Sequence, residues 1–172
     1  MTSLLGQLVG GDRRSIGKSD LVVQQVIADR ARLADIFGGF TDDDPLIRMR
    51  CADVAEKVTK LRPEWLQPYK RQILAVVSHS AEQEVRWHVA QMLPRLRLTP
   101  TERHKAATIL FGYLEDKSRI VKTFALQALT DLAHDDPDLR RRVLPLLRNA
   151  CRTGSPAVRA RAKKLIEALA RK

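Results

Sequence analysis

Four histidines and two cysteines are the side chains through which this 172-residue chain could hold a metal or activate a nucleophile. A helical zinc site needs two ligands one turn apart on one face. His79, His88, His104 and His134 are scattered, with no pair at that spacing. Cys51 and Cys151 stand one hundred positions apart, which encodes neither a redox pair nor a zinc knuckle. Gly17-Lys18-Ser19 ends like a phosphate-binding loop, but the glycine that should open such a loop is misplaced. The chain is therefore expected to be no enzyme, with no catalytic residue, no metal site and no cofactor.

Charge is the chemistry that remains. Lys and Arg number 31 against 20 Asp and Glu, a net charge of +11. Residues 1–46 carry five basic and seven acidic groups, whereas residues 47–172 carry 26 and 13. From Arg140 onward, eleven basic groups face Glu167 alone. A field of this kind attracts phosphate polymers or acidic protein surfaces, although a solvated face that keeps the chain in solution gives the same count. Aromatic residues make up only 5% of the chain, so no platform of stacking rings for a single strand is evident. No run approaches the ~18 apolar residues of a membrane span, and Met1–Gly11 lacks the basic and apolar parts of a secretory signal. A cytoplasmic protein with no membrane partner is expected, and Met1 with the basic tail favours a whole one.

The elements that must position these charges follow from an internal repeat. Ile47-Arg48-Met49-Arg50-Cys51-Ala52, Val85-Arg86-Trp87-His88-Val89-Ala90, Val121-Lys122-Thr123-Phe124-Ala125-Leu126 and Val158-Arg159-Ala160-Arg161-Ala162-Lys163 align without gaps. Each opens with a β-branched residue followed by a basic one. Four positions on stand Cys51, Val89, Ala125 and Ala162, and apolar residues recur seven, eight and eleven positions on, ending at Val58, Leu96, Leu132 and Leu169. These offsets share one stripe of a 3.6-residue helix. Helix-start signals precede each: Asp42-Asp43-Asp44-Pro45, Ser78–Ser80, Asp116-Lys117-Ser118 and Gly154-Ser155-Pro156. Partner helices are predicted over Asp20–Phe37, Pro63–Val77, Pro100–Leu114 and Pro137–Cys151, with a kink or restart at Pro68 and Pro145 and a bend at Pro94. The first eighteen residues should be mobile or cap the array.

The run Val-Arg-x-x-Ala-x-x-Ala-Leu-x-x-Leu, best seen in Val121–Leu132 and Val158–Leu169, resembles the second helix of a HEAT repeat, and the likeness extends over roughly residues 20–170. It implies an all-α fold: a right-handed α-solenoid of about four antiparallel helix pairs. These would form one domain over 19–172 with units near 19–61, 62–98, 99–135 and 136–172. HEAT repeats often place an Asp six residues before the Arg to build a ladder between units. Here Asp42 precedes Arg48 and Asp116 precedes Lys122, while Ser80 and Thr153 stand before Arg86 and Arg159. The resemblance thus assigns Arg48, Arg86, Lys122, Arg159, Asp42 and Asp116 to a structural ladder.

In such a stack the Val-Arg helices would line a concave face. Arg50, His88 and Arg161, three positions into their helices, carry no ladder duty and are candidates for partner contact. Trp87 lies opposite the buried stripe and would anchor a peptide, stack on a base, or pack on a neighbouring helix. Trp65 and Tyr69 would pack at the core edge. Arg140, Arg141 and Arg142 with the tail Arg159–Lys172 form the densest positive region. Three functions result. The first is a non-catalytic module binding an acidic protein on its basic concave face. The alternative is a DNA- or RNA-binding protein making phosphate contacts through residues 47–172. The least supported is a HEAT-like DNA glycosylase for alkylated bases, recruiting Asp53 and Trp87.

Overall fold

The computed structural model describes residues 4–11 and 17–170, and every regular element within them is helical. The chain divides into two compact units, residues 1–97 and 98–172. The first contains α1 (Ser19–Ala28), α2 (Leu33–Gly38), α3 (Pro45–Leu61), α4 (Lys70–Ala75) and α5 (Gln83–Met92), joined by short 3-10 turns. The second contains α6 (Pro100–Tyr113), α7 (Arg119–Leu132), α8 (Pro137–Thr153) and α9 (Pro156–Ala170). Parts of the expected opening segment, residues 1–3 and 12–16, and the end of the basic tail, residues 171–172, lie outside the described residues.

The repeated stripe forms the core of each unit. Cys51, Val89, Ala125 and Ala162 are each 0% exposed, and each small side chain lets α3, α5, α7 or α9 approach its neighbour closely. The residues seven positions into the template, Val54, Met92, Ala128 and Leu165, are buried as well. Each large apolar side chain removed from water in this way contributes roughly 1.5–3 kcal/mol. Only on α9 does the stripe open, where Val158 is 37% exposed. Helix starts follow the local chemistry. The Asp44 carboxylate accepts the Leu46 N–H at 2.8 Å, and Thr99 with Glu102 forms a capping box at the start of α6.

Two expected partner helices are interrupted. Asp20–Phe37 breaks because Asp29 adopts an extended conformation and its carboxylate accepts the Ala31 N–H, which ends α1 and starts a 3-10 turn. Pro63–Val77 opens as a 3-10 helix over Pro63–Tyr69 that holds Pro68 inside it, and α geometry begins only at Lys70. Pro94 likewise falls in a 3-10 turn, Leu93–Arg95, that closes α5. Pro145 does not restart α8, which runs unbroken to Thr153. Its ring lies on the exposed side of the helix, away from the packed stripe.

Within the first unit, α3 and α5 run side by side in the same direction, tied at both ends. At the start, the Arg48 guanidinium pairs with Glu82, the N-cap of α5. That contact, more than any other, holds the Glu82 carboxyl down at about 2, with the Ser80 hydroxyl donating to the same group. At the far end, Arg95 pairs with the Glu56 carboxylate and donates to the Glu56 carbonyl at 2.8 Å and the Thr59 hydroxyl at 3.2 Å. Equivalent helices of consecutive pairs thus lie parallel, which is the arrangement of an α-solenoid.

Arg50 departs from expectation. A partner-facing side chain is predicted there, yet Arg50 is 1% exposed. Its Nη1 donates to the Leu8 carbonyl at 2.6 Å and the Gly10 carbonyl at 2.5 Å. The opening segment packs over this cation, with Leu4 and Leu8 buried. Gly17 has φ +55°, and a Cβ there would lie 3.0 Å from Arg50 Cζ; only glycine combines that conformation with that approach. A Cβ on Gly39 would likewise overlap the Cys51 sulfur. Arg50→Ala should destabilise the first unit by about 2–4 kcal/mol, because it strips the buried Leu8 carbonyl and the half-buried Gly10 carbonyl of their donor. Urea denaturation measures this, and limited proteolysis should find the opening segment cleaved faster in the variant.

Candidate functional site

Two of the residues expected in a ladder, Arg48 and Arg86, bond backbone carbonyls at their own helix starts. Arg48 Nη1 donates to the Asp42 carbonyl at 2.5 Å and the Asp43 carbonyl at 3.0 Å. Arg86 Nε donates to the Ser80 carbonyl at 2.7 Å, again six residues back. Arg140 repeats the geometry on the His134 carbonyl at 3.1 Å, so this half-buried arginine, expected at a partner surface, is turned toward its own helix start. Lys122 and Arg159 are exposed, and the Asp116 carboxylate accepts the Ser118 N–H at 2.7 Å.

Trp87 and His88 are both half-buried, their ring centroids 5.5 Å apart. Burial pushes the His88 imidazole down to about 4, with Glu56 pulling it up and Lys57 and Arg95 pushing it further down. Its Nδ1 has no hydrogen-bond partner among the described residues. Asp53, the residue a glycosylase would recruit, has its carboxylate engaged by Lys57 at 2.9 Å. Burial, and then the charge of Asp42, push the Cys51 thiol up to about 12, which leaves it no nucleophile at neutral pH. Among the described residues no group of three or more His, Cys, Asp and Glu could hold a metal ion, and no helix is long and apolar enough to cross a membrane.

Accessible cations concentrate in the second unit, which carries 16 basic and eight acidic residues. On α8 the buried stripe is Leu139, Val143 and Leu147. Opposite it stand Arg141, Arg148 and Arg152, all exposed. Their spacing of seven and four residues sets them along one line of the helix, roughly 10 and 6 Å apart. Arg141 pairs with Asp138 and Arg152 donates to Asn149 Oδ1 at 3.2 Å; pairs this exposed are weak and readily exchanged for an external anion. Arg142 leaves the row and lies over the Phe111 ring at 4.2 Å. On α9, Arg161 is exposed with its guanidinium 6.0 Å from the Phe124 ring. A cleft of about 180 Å³ between α6 and α8 is lined by Arg103, His104, Arg142, Asp136 and Asp138 with apolar neighbours. Its opposed charges favour no single ligand.

Of the sequence-derived candidates, Arg141, Arg142 and Arg161 are thus accessible in the second unit, Trp87 and His88 partly so in the first, and Arg50 not at all. Arg148 and Arg152 were not among them. Their signal was the periodicity already used for the core, applied to the opposite face of α8.

His88 makes the first unit sensitive to mild acid. The unfolded imidazole takes a proton near pH 6.5, whereas the folded one resists until about pH 4. Stability is therefore complete above pH 6.5 and falls as pH drops through that window, by up to about 3 kcal/mol. Urea midpoints at pH 7.5 and 4.5 should converge in His88→Gln relative to the parent; an undiminished gap would place the acid sensitivity elsewhere.

No protein-family model matches the chain, and no curated protein matches it. Among solved structures it is similar to a designed armadillo repeat protein, with a TM-score of 0.47 and 13% identity across 96% of this chain and 98% of that one.

Proposed function

We propose that the chain is a non-catalytic interaction module, with helix pairs of the HEAT type, that binds an acidic protein partner. The observation that carries this reading is the row of Arg141, Arg148 and Arg152 on the solvent face of α8. Three guanidiniums on a rigid helix present planar, bidentate donors at fixed intervals, which suits carboxylates spaced along an extended or helical segment. A pre-formed helix binds at little ordering cost. The contact moves from the Val-Arg helices, whose Arg48, Arg50 and Arg86 are spent on carbonyls, to the outer surface of the second unit. Arg161 and Arg159 on α9 add to the same field.

Fluorescence polarisation with a labelled glutamate-rich peptide, duplex DNA and single-stranded RNA across a salt series tests this. The peptide should stay bound at physiological salt, and the Arg148→Ala/Arg152→Ala double variant should weaken it roughly fivefold to tenfold. Tighter binding to nucleic acid, with log affinity falling steeply against log salt, would overturn the reading in favour of phosphate contacts. Loss of every signal at physiological salt would leave the charge with solubility as its role.

A further inference from the structure

A second cationic feature lies on the first unit, away from any residue assigned above to a partner. Arg30, in the 3-10 turn after α1, and Arg62, at the end of α3, converge on Trp65 from separate parts of the chain. Their guanidinium carbons stand 5.8 and 6.0 Å from the indole centroid. Both arginines are exposed and Trp65 is half-buried. Among the described residues neither side chain has a hydrogen bond or ion pair; the adjacent Asp29 is engaged by Arg32. Tyr69 backs the cluster, its ring stacked 3.8 Å from that of Phe37 and almost parallel to it, which anchors the Pro63–Tyr69 turn to the core. Leu61, beside Arg62, is 64% exposed.

Two like charges gathered on one ring, neither of them in an ion pair among the described residues, raise the local potential. The indole face offsets that only weakly at such distances. Arg and Trp together are the side chains from which interface anchors are most often made, and an exposed leucine at the edge adds apolar area. We infer that Arg30, Arg62 and Trp65 form a second docking point for an acidic peptide segment, whose carboxylate bridges the two guanidiniums while an apolar neighbour lies against Trp65 and Leu61. This rests on the proposed function only in taking the partner to be an acidic protein. The site itself is separate from the α8 row.

The full chain carries two tryptophans, so labelling with 5-fluorotryptophan gives two ¹⁹F resonances, assigned with Trp65→Phe or, by elimination, Trp87→Phe. Titration with a peptide of alternating Glu and Leu should shift the Trp65 resonance saturably and leave that of Trp87 in place. Arg30→Ala and Arg62→Ala should each weaken that shift roughly fivefold or more, with Arg30→Lys and Arg62→Lys partly restoring it if charge contributes. Arg148→Ala/Arg152→Ala should leave it intact. An unmoved Trp65 resonance while the peptide still binds through the α8 row would overturn this inference alone. A Trp65 shift with an α8 row that binds nothing would overturn the α8 row as the contact of the proposed function and leave this inference standing. A larger shift with single-stranded oligonucleotide than with peptide would overturn the acidic-peptide assignment in favour of base stacking.

Discussion

Close approach between helices is the constraint on which both units depend. The template grants it at one point per helix, the fully buried small residue four positions from the start. A long side chain there would hold the neighbouring helix off the stripe and expose the apolar residues three, four and seven positions further on. In a core packed as densely as an organic crystal, that gap has no filler. Gly39 applies the same rule on the facing side, since its missing side chain is the space into which the Cys51 sulfur fits. The caps, turns and ion pairs then adjust an arrangement that small side chains permit.

Charge is spent on two different tasks. Arg48, Arg86 and Arg140 satisfy carbonyls at helix starts, Arg50 satisfies carbonyls in the opening segment, and Arg95 clamps the end of α3. These arginines act as backbone donors, and a net-charge count cannot separate them from those that meet solvent. What separates them is the length of the guanidinium arm relative to the nearest open carbonyl. Six residues back across a helix start is within reach, so Arg48 and Arg86, one position into the template, turn inward, while Arg159 at the same position stays in water. Arginines on the far side of α8 have no such acceptor and stay in water.

Most of the core was legible because it is written at a repeat of 36 to 38 residues that four helices share. The side chains three positions into the template were not, and the reason is geometric. That position lies at the margin of the stripe, where burial is decided by whatever the rest of the chain lays beside it. Arg50 is covered by a segment some forty residues away, His88 and Phe124 are half-covered, and Arg161 is open. Local periodicity carries no information about such a distant cover. The broken helix at Asp29 has a different origin. Its carboxylate offers the backbone a local acceptor that competes with helix continuation, while the apolar spacing on either side suits an uninterrupted helix.

The way Arg50 is held also bears on the order in which the chain can assemble. Its acceptors, the Leu8 and Gly10 carbonyls, precede it by 42 and 40 residues. The segment that carries them is made before α3, and until then it has the Gln7–Gln25 pair to tie it to α1. Closing a loop of that length costs only a few kcal/mol, but the cost falls before the contact returns anything. The opening residues thus take their place over Arg50 only once α3 presents it, and it is they that remove the cation from water.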